Sequence, residues 1–179
     1  MGPTSTFYVS VPKDGSENID MDLKRAGVHL EIPGSESLTI KHLVLDFTGT
    51  LSCDGVLLSG VDERLEKLSQ QLHITVLTAD TFGTAANQLE PLPVNLNLIQ
   101  TGRDKEVFMA GFKKSETAAI GNGRNDVEMI RMAGLGIAVI GPEGCAGELI
   151  AAAKIVCRDI LSALELLLNP LRVKATLRD

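Results

Sequence analysis

The stretch that most constrains the fold is residues 43–51, where a short apolar run stops at an aspartate. The run from Leu43 to Leu45 contains branched side chains and predicts a buried β-strand. Asp46 ends the run, and Gly49 stands three residues later, at a position typical of a turn. A carboxylate at the carboxyl end of a buried strand lies where open α/β sheets bind ligands. Asp46 is therefore either a nucleophile or metal ligand, or simply a residue that caps the following turn.

Composition and charge narrow the class of protein. The chain has 179 residues, of which 44% are apolar and 22% charged, which predicts one globular domain with a sizeable core. A net charge of −6 without a basic stripe argues against nucleic acid or an anionic membrane as the main partner. No apolar run has the length of a membrane span. The three cysteines are widely spaced, which argues against a disulfide framework or zinc site and fits a reducing cytoplasm.

The chain divides into a leader and one domain. Residues 1–27 mix small, polar and charged side chains around short apolar pieces, so we predict a poorly ordered leader, native or introduced by cloning. Residues 28–179 are predicted to form a single domain. At its start, the apolar segments 28–32 and 38–40 flank Pro33-Gly34, which predicts a hairpin at the edge of the sheet.

The rest of the domain alternates between strand and helix patterns. Strands are predicted near 43–45, 74–77, 94–99, 118–120, 135–140 and 154–157, and helices near 60–71, 83–89, 103–113, 125–134, 144–152 and 160–169. This alternation predicts a Rossmann-like three-layer α/β sandwich, with a central parallel sheet and helices on both faces. Asp54-Gly55, between short apolar pieces, predicts a β-hairpin flap over residues 52–58.

Polar residues follow three of these strands and should meet at one edge of the sheet. Asp46, Thr78 and the segment 121–126 each follow a strand, while Lys105 lies near the start of a helix. A lysine, a hydroxyl and backbone amides suit the oxygens of a phosphate. The two carboxylates of Asp46 and Asp126, with a side-chain amide, suit a hard cation such as Mg²⁺. A carboxylate nucleophile beside such a cation can accept a phosphoryl group.

Each residue of this set also has a purely structural alternative. Thr78 can simply end a strand, and Lys105 can be one of several solvated basic side chains in its segment. Asn122 and Asn125 are common turn and cap residues, and Asp126 can be no more than a helix N-cap.

Taken in order, these motifs resemble those of a known family. The run Asp46-Phe47-Thr48-Gly49-Thr50-Leu51, then Thr78, Lys105 and Gly121-Asn122-Gly123-Arg124-Asn125-Asp126, resembles the four motifs of the haloacid dehalogenase-like hydrolase superfamily. The resemblance covers roughly residues 40–160. It is strongest to the phosphorylation domain of P-type ATPases, whose first motif has Thr two residues after the nucleophile. Without membrane segments, the chain is similar to soluble P-type ATPase-like phosphatases.

The resemblance implies a role for each matching residue. Asp46 would form an aspartyl-phosphate and also bind Mg²⁺, to which Thr48 would give its backbone carbonyl. Thr78 would hydrogen-bond the phosphoryl oxygens, and Lys105 would neutralise charge on Asp46 and the phosphoryl group. Asp126 would lie in or next to the metal shell.

Two departures from the family pattern qualify these roles. Most phosphatases of the superfamily have Asp where Thr48 stands, as general acid and base, so leaving-group protonation and breakdown of the aspartyl-phosphate should be slow unless another group such as Asp54 or Asp80 substitutes. The family usually also has Asp at the position of Asn122, as a metal ligand. Asn122 retains a carbonyl oxygen but lacks the charge, so Mg²⁺ should bind more weakly.

The spacing of the motifs leaves no room for a cap domain between Asp46 and Thr78 or between Thr78 and Lys105. An open rim cannot select a small substrate by enclosing it. The resemblance implies that capless members act on large phosphorylated substrates or complete their site as a homo-oligomer. The 52–58 hairpin is the candidate lid.

Three functions remain open from the sequence. The first is a Mg²⁺-dependent phosphatase that acts through Asp46. The second is a phosphoacceptor or binding module with little turnover, like a receiver domain, which the slow breakdown expected from Thr48 favours. The third, dinucleotide binding at Gly121-Asn122-Gly123, is weaker, because Asp126 replaces the third glycine and would repel a pyrophosphate.

Overall fold

The structure is a computed structural model that describes residues 25–178. Residues 1–24, most of the predicted leader, lie outside the described part. The structure describes only residues 25–27 of this predicted leader, and Arg25 contacts the domain. Its Nε donates to the Ser69 carbonyl at 3.0 Å, and its Nη1 lies 2.6 Å from His73 Nδ1.

The described residues contain ten strands and seven α-helices. The strands are β1 (Val28–Leu30), β2 (Leu38–Ile40), β3 (His42–Leu45), β4 (Ser52–Cys53), β5 (Val56–Leu57), β6 (His73–Thr78), β7 (Asn95–Leu98), β8 (Thr117–Gly121), β9 (Leu135–Val139) and β10 (Ile155–Cys157). The helices are α1 (Val61–Ser69), α2 (Ala85–Leu89), α3 (Gly102–Met109), α4 (Val127–Met132), α5 (Gly147–Ala152), α6 (Ile160–Leu168) and α7 (Pro170–Leu177). Short 3₁₀ turns precede β8 and α4, at Lys114–Glu116 and Arg124–Asp126.

Six strands form the predicted parallel sheet, in the order β10-β9-β8-β3-β6-β7. The central strand β3 pairs with β8 on one side and with β6 on the other. Leu43, Val44 and Leu45 are all buried, because both faces of the sheet are covered. Burial on both faces explains why the strand sequences are continuous apolar runs and do not alternate apolar with polar residues.

Helices cover both faces, as predicted. On one face, the apolar side chains of α3, α4 and α5 pack against Val44 and Leu77 of the sheet. On the other, α1, α2, α6 and α7 pack against Leu43, Leu45 and Val76. Successive strand residues point to opposite faces, so the four inner strands β9, β8, β3 and β6 contribute to both cores. The Rossmann-like α/β sandwich is therefore confirmed.

Two elements differ from the sequence expectations. The first hairpin is not at the edge of the sheet, because β1 and β2 form a separate antiparallel pair. Only Lys41 separates β2 from the central strand β3, so the hairpin lies at the amino end of that strand. Second, α6 ends before Pro170 as expected, but Pro170 begins a further helix. Proline suits the first turn of a helix, where its missing N–H leaves no bond unmade.

The predicted flap is present next to β3. Residues of β4 and β5 pair as an antiparallel hairpin, with Ser52 opposite Leu57. Its turn places Asp54 at φ 50° and Gly55 at φ 75°, the left-handed conformations that a two-residue hairpin turn requires. The elements between Asp46 and Lys105 are this hairpin, α1, β6, α2 and β7, so no cap domain interrupts the described part of the chain there. No helix among the described residues is long and apolar enough to cross a membrane.

Candidate active site

The carboxyl edge of the central strands brings the predicted residues into one region. Asp46 directly follows β3, and its backbone N–H still bonds to Ile120 of β8 at 3.0 Å. The chain then turns at once, because the Phe47 carbonyl accepts from the amides of Thr50, Leu51 and Ser52 at 2.9–3.2 Å. This turn brings the Thr50 hydroxyl back to the Asp46 carboxylate, 3.1 Å from Oδ2.

Lys105 reaches the same place from the first turn of α3. Thr101 and Asp104 form a capping box that fixes the helix start, with Asp104 Oδ2 accepting from the Thr101 amide at 2.7 Å. The start of α3 packs closely on the loop after β8: a Cβ built on Gly102 would lie 3.0 Å from the Asn125 carbonyl oxygen. A side chain larger than glycine would separate the helix from this loop.

A buried lysine joins two aspartates. Lys105 Nζ lies 2.6 Å from Asp46 Oδ1 and 2.5 Å from Asp126 Oδ1. The Lys105 and Asp126 residues are fully buried, and Asp46 is 5% exposed. Buried charges are costly unless they are paired and hydrogen-bonded. This lysine is therefore not a solvated surface residue, and the structural alternative considered for it is wrong.

The electrostatics of the three groups leave a deficit of positive charge. Burial and the nearby Asp126 raise the pKa of Asp46 from 3.8 to about 7, against the opposing effect of Lys105. Burial alone would lower the pKa of Lys105, but the two carboxylates outweigh it and the pKa is raised. With all three groups ionised, the cluster is one positive charge short of neutrality. A proton on Asp46 or a bound cation would supply that charge.

Asp126 also holds the loop after β8. Its Oδ2 accepts from the amides of Asn122 at 3.1 Å and Gly123 at 2.9 Å. A Cβ on Gly121 would lie 2.5 Å from this oxygen, so the close approach needs glycine there. Asp126 immediately precedes α4, but these bonds run back into the preceding loop. With three donors on its two oxygens, it is better placed beside a metal than in direct contact with one.

Thr50 is a member of the site that sequence reasoning missed. Its fully buried hydroxyl oxygen lies 3.1 Å from Asp46 Oδ2 and 3.1 Å from Asn122 Oδ1. A hydroxyl has one proton, so it can serve only one of these oxygens at a time. The available signal was a second hydroxyl residue four positions after the nucleophile, but the motif comparison drew attention to Thr48 instead.

The oxygen atoms around Thr50 fit the predicted Mg²⁺. Asp46 Oδ2, Asn122 Oδ1 and the Thr50 hydroxyl form an anionic, oxygen-only group that shares a single proton, which suits a hard cation. Nearby, the buried Thr48 hydroxyl has no hydrogen-bond partner among the described residues. Asp46 and Asn122, with the predicted backbone carbonyl of Thr48, are the residues that would hold the ion.

Thr78 lies one strand away from Asp46. It ends β6, two residues after Val76, which pairs with Leu45. Its buried hydroxyl accepts from the Asp80 amide at 2.9 Å, so its own proton remains to be donated. Asp80, considered above as a substitute acid, uses one carboxylate oxygen to accept from the amides of Thr84 and Ala85, both at 3.0 Å.

Solved structures share this fold. A 3-deoxy-D-manno-octulosonate 8-phosphate phosphatase from Moraxella catarrhalis, in complex with magnesium, phosphate and KDO, matches with a TM-score of 0.63 and 20% identity, over 76% of this chain and 90% of that one. The cobalt-bound form of the corresponding phosphatase from Haemophilus influenzae matches with a TM-score of 0.62 and 17% identity, over 76% and 91% of the two chains. An apo phosphoserine phosphatase matches with a TM-score of 0.57 and 16% identity, over 70% of this chain and 98% of that one. At these identities the similarity shows the fold.

Sequence comparison adds two findings. The model of a family described as haloacid dehalogenase-like hydrolase matches residues 105–159, which include Lys105 and the Gly121–Asp126 loop. A protein of Methanocaldococcus jannaschii described as uncharacterized protein MJ0073 is 54% identical over 61 residues, which are 34% of this chain and 66% of that protein. The match thus spans just under two thirds of the relative's length.

Fold and sequence comparison agree on the class of protein. The fold is that of the haloacid dehalogenase-like hydrolases, and the predicted resemblance to this superfamily is confirmed. The closer resemblance to soluble P-type ATPase-like phosphatases stays a prediction.

Proposed function

We propose that this chain is a Mg²⁺-dependent phosphohydrolase that works through an aspartyl-phosphate on Asp46. The observation that carries the proposal is the buried Lys105 ammonium, held between the carboxylates of Asp46 and Asp126 at 2.6 and 2.5 Å. A buried ion cluster at the ligand-binding edge of a sheet is costly to fold and typical of a reactive site. The phosphatases of the same fold support the reaction class.

In the first step, one Asp46 oxygen attacks the phosphorus of the substrate while the bond to the leaving oxygen breaks. Oδ1 contacts Lys105, whereas Oδ2 lies on the side of Thr50 and Asn122, where Mg²⁺ would bind. Asp46 must be ionised to attack, and burial beside Asp126 opposes this by raising its pKa. A bound Mg²⁺ would neutralise charge on the carboxylate and on the phosphoryl oxygens. Thr78 would donate its hydroxyl proton to one of those oxygens.

In the second step, water attacks the phosphorus and releases Asp46 and inorganic phosphate. A carboxyl group two residues after the nucleophile would protonate the leaving group and deprotonate this water. Thr48 cannot do so near neutral pH, so both protons must be exchanged with solvent. We therefore propose a slow enzyme, which also binds Mg²⁺ weakly because Asn122 contributes no charge.

The open edge of the sheet favours a large phosphorylated substrate, or a homo-oligomer in which a second copy covers the site. No cap domain stands between the motifs in the described part of the chain, and the β4–β5 hairpin is the nearest candidate lid. The three cysteines are free, which supports a reducing, cytoplasmic location. The acidic chain without a basic stripe supports neither nucleic acid nor membrane as partner.

The alternative is a phosphoacceptor module with little turnover, which Thr48 favours because its hydroxyl cannot serve as a general acid or base near neutral pH. The lifetime of the phosphorylated protein separates the two functions. We expect acetyl phosphate and Mg²⁺ to add one phosphoryl group, detected by intact-mass spectrometry, and the group to be lost within minutes once acetyl phosphate is removed, which is slow for a phosphatase because Thr48 supplies no acid–base group. A half-life of hours would favour the regulatory module. No phosphorylation at any Mg²⁺ concentration would contradict both functions.

A further inference from the structure

The loop between β9 and α5, residues 141–146, is attached to Asn122 at two points. The Asn122 side-chain amide donates from Nδ2 to the Gly144 carbonyl at 3.1 Å. The Asn122 backbone carbonyl accepts from the Ala146 amide at 2.9 Å. Gly144 has φ +86°, a conformation that glycine adopts without strain. Asn122 therefore fixes the course of this loop past the site.

The contact with Gly144 needs an amide at position 122. A carbonyl oxygen only accepts hydrogen bonds, so the atom that faces it must be the NH₂ group. The opposite side of the same amide faces the Thr50 hydroxyl through Oδ1, at 3.1 Å. The aspartate usual in the superfamily would place a carboxylate oxygen against the Gly144 carbonyl, where the two would repel each other.

The same loop also reaches the flap. Glu143 Oε1 accepts from the backbone N–H of Asp54, at the tip of the β4–β5 hairpin, at 2.8 Å. On its other side the hairpin is held by separate bonds: Thr84 Oγ1 donates to the Gly55 carbonyl at 2.6 Å, and the Leu57 amide donates to Gln88 Oε1 at 3.3 Å. The flap is thus tethered on two sides, and one tether leads back to Asn122.

We propose that Asn122 is a positioning residue for the flap. Through the Gly144 carbonyl it holds the 141–146 loop, and through Glu143 that loop holds the tip of the hairpin. The asparagine at this position thereby gives up one charge at the cation site and gains a donor that fixes the flap. The inference rests on the proposed function only for the identity of the site that the flap covers. The hydrogen bonds that connect Asn122 to the hairpin do not depend on that function.

Amide hydrogen exchange in chelator tests the proposal without any activity assay. In Asn122→Asp, we expect the 52–58 and 141–146 segments to exchange about three- to tenfold faster than in the wild type, the effect of losing one hydrogen bond. In Glu143→Ala, the Asp54 amide should exchange faster by a similar factor. Glu143→Gln is the matched control and should behave as the wild type, because its Oε1 still accepts the bond.

Two results would overturn the proposal. One is wild-type exchange at residues 52–58 in Asn122→Asp. The other is wild-type exchange of the Asp54 amide in Glu143→Ala, a surface variant expected to fold normally. The buried β8 amides at 118–120 serve as an internal reference for global unfolding: the proposal requires flap and loop exchange to rise more than theirs. Failure of phosphatase activity in the wild type would remove the proposed function and leave this result intact.

Discussion

Lys105→Met should lower the free energy of unfolding by about 3–5 kcal/mol, the usual cost of removing one partner from a buried ion cluster. The substitution preserves the bulk of the side chain but leaves the carboxylates of Asp46 and Asp126 without their counter-charge. The measurement is denaturant unfolding in chelator. Lys113→Met is the control: its side chain is 78% exposed, so the change should stay within about 0.5 kcal/mol. Equal losses in the two variants would contradict the assigned role of Lys105.

The loss in Lys105→Met should depend on pH in a defined direction. The pKa of Asp46 is already raised from 3.8 to about 7, and removing the ammonium raises it further. A carboxyl with a raised folded-state pKa contributes stability below its unfolded pKa and loses it as the pH rises through the folded one. The variant should therefore be closer to the wild type at about pH 5 than at about pH 8. The opposite trend would contradict the raised pKa.

Thr48→Asp should speed the breakdown of the phosphorylated protein by about 10²- to 10⁴-fold, the usual contribution of a positioned general acid–base group. The buried Thr48 hydroxyl has no partner among the described residues, so its replacement breaks no hydrogen bond seen there. The measurement is the decay of the phosphoryl group after acetyl phosphate is removed, together with p-nitrophenyl phosphate turnover. Thr48→Asn is the control, because asparagine has the same shape as aspartate but no titratable proton. Equal decay in the two variants would show that Thr48 does not account for a slow reaction.

The sheet could be predicted from the sequence because its strands are short apolar runs between helix patterns. Burial on both faces produces such runs, and parallel pairing follows from the intervening helices. The β1–β2 hairpin was misplaced because local patterning shows that two strands pair but not where the pair docks. The helix after Pro170 was missed because the proline was interpreted only as the end of α6, although it equally suits the first turn of a helix.

The site could be predicted only in part. Asp46 and the loop after β8 stand out locally, since polar and glycine residues follow apolar strands. Lys105 does not, because nothing around it in the sequence predicts burial, and only the order of motifs in the superfamily singled it out. The role of Thr50 and the link from Asn122 through Gly144 to the flap depend on the packing of distant segments, which no local pattern contains.

Asp46 is proposed as the nucleophile, and a comparison of the wild type with two variants tests this role directly. Wild-type protein with Mg²⁺ should hydrolyse p-nitrophenyl phosphate, and Asp46→Asn should fall to the background seen with chelator, because a neutral amide cannot form the aspartyl-phosphate. Asp62→Asn, at an exposed position in the first turn of α1, should retain wild-type turnover. Turnover by Asp46→Asn equal to that of the wild type would contradict the central claim.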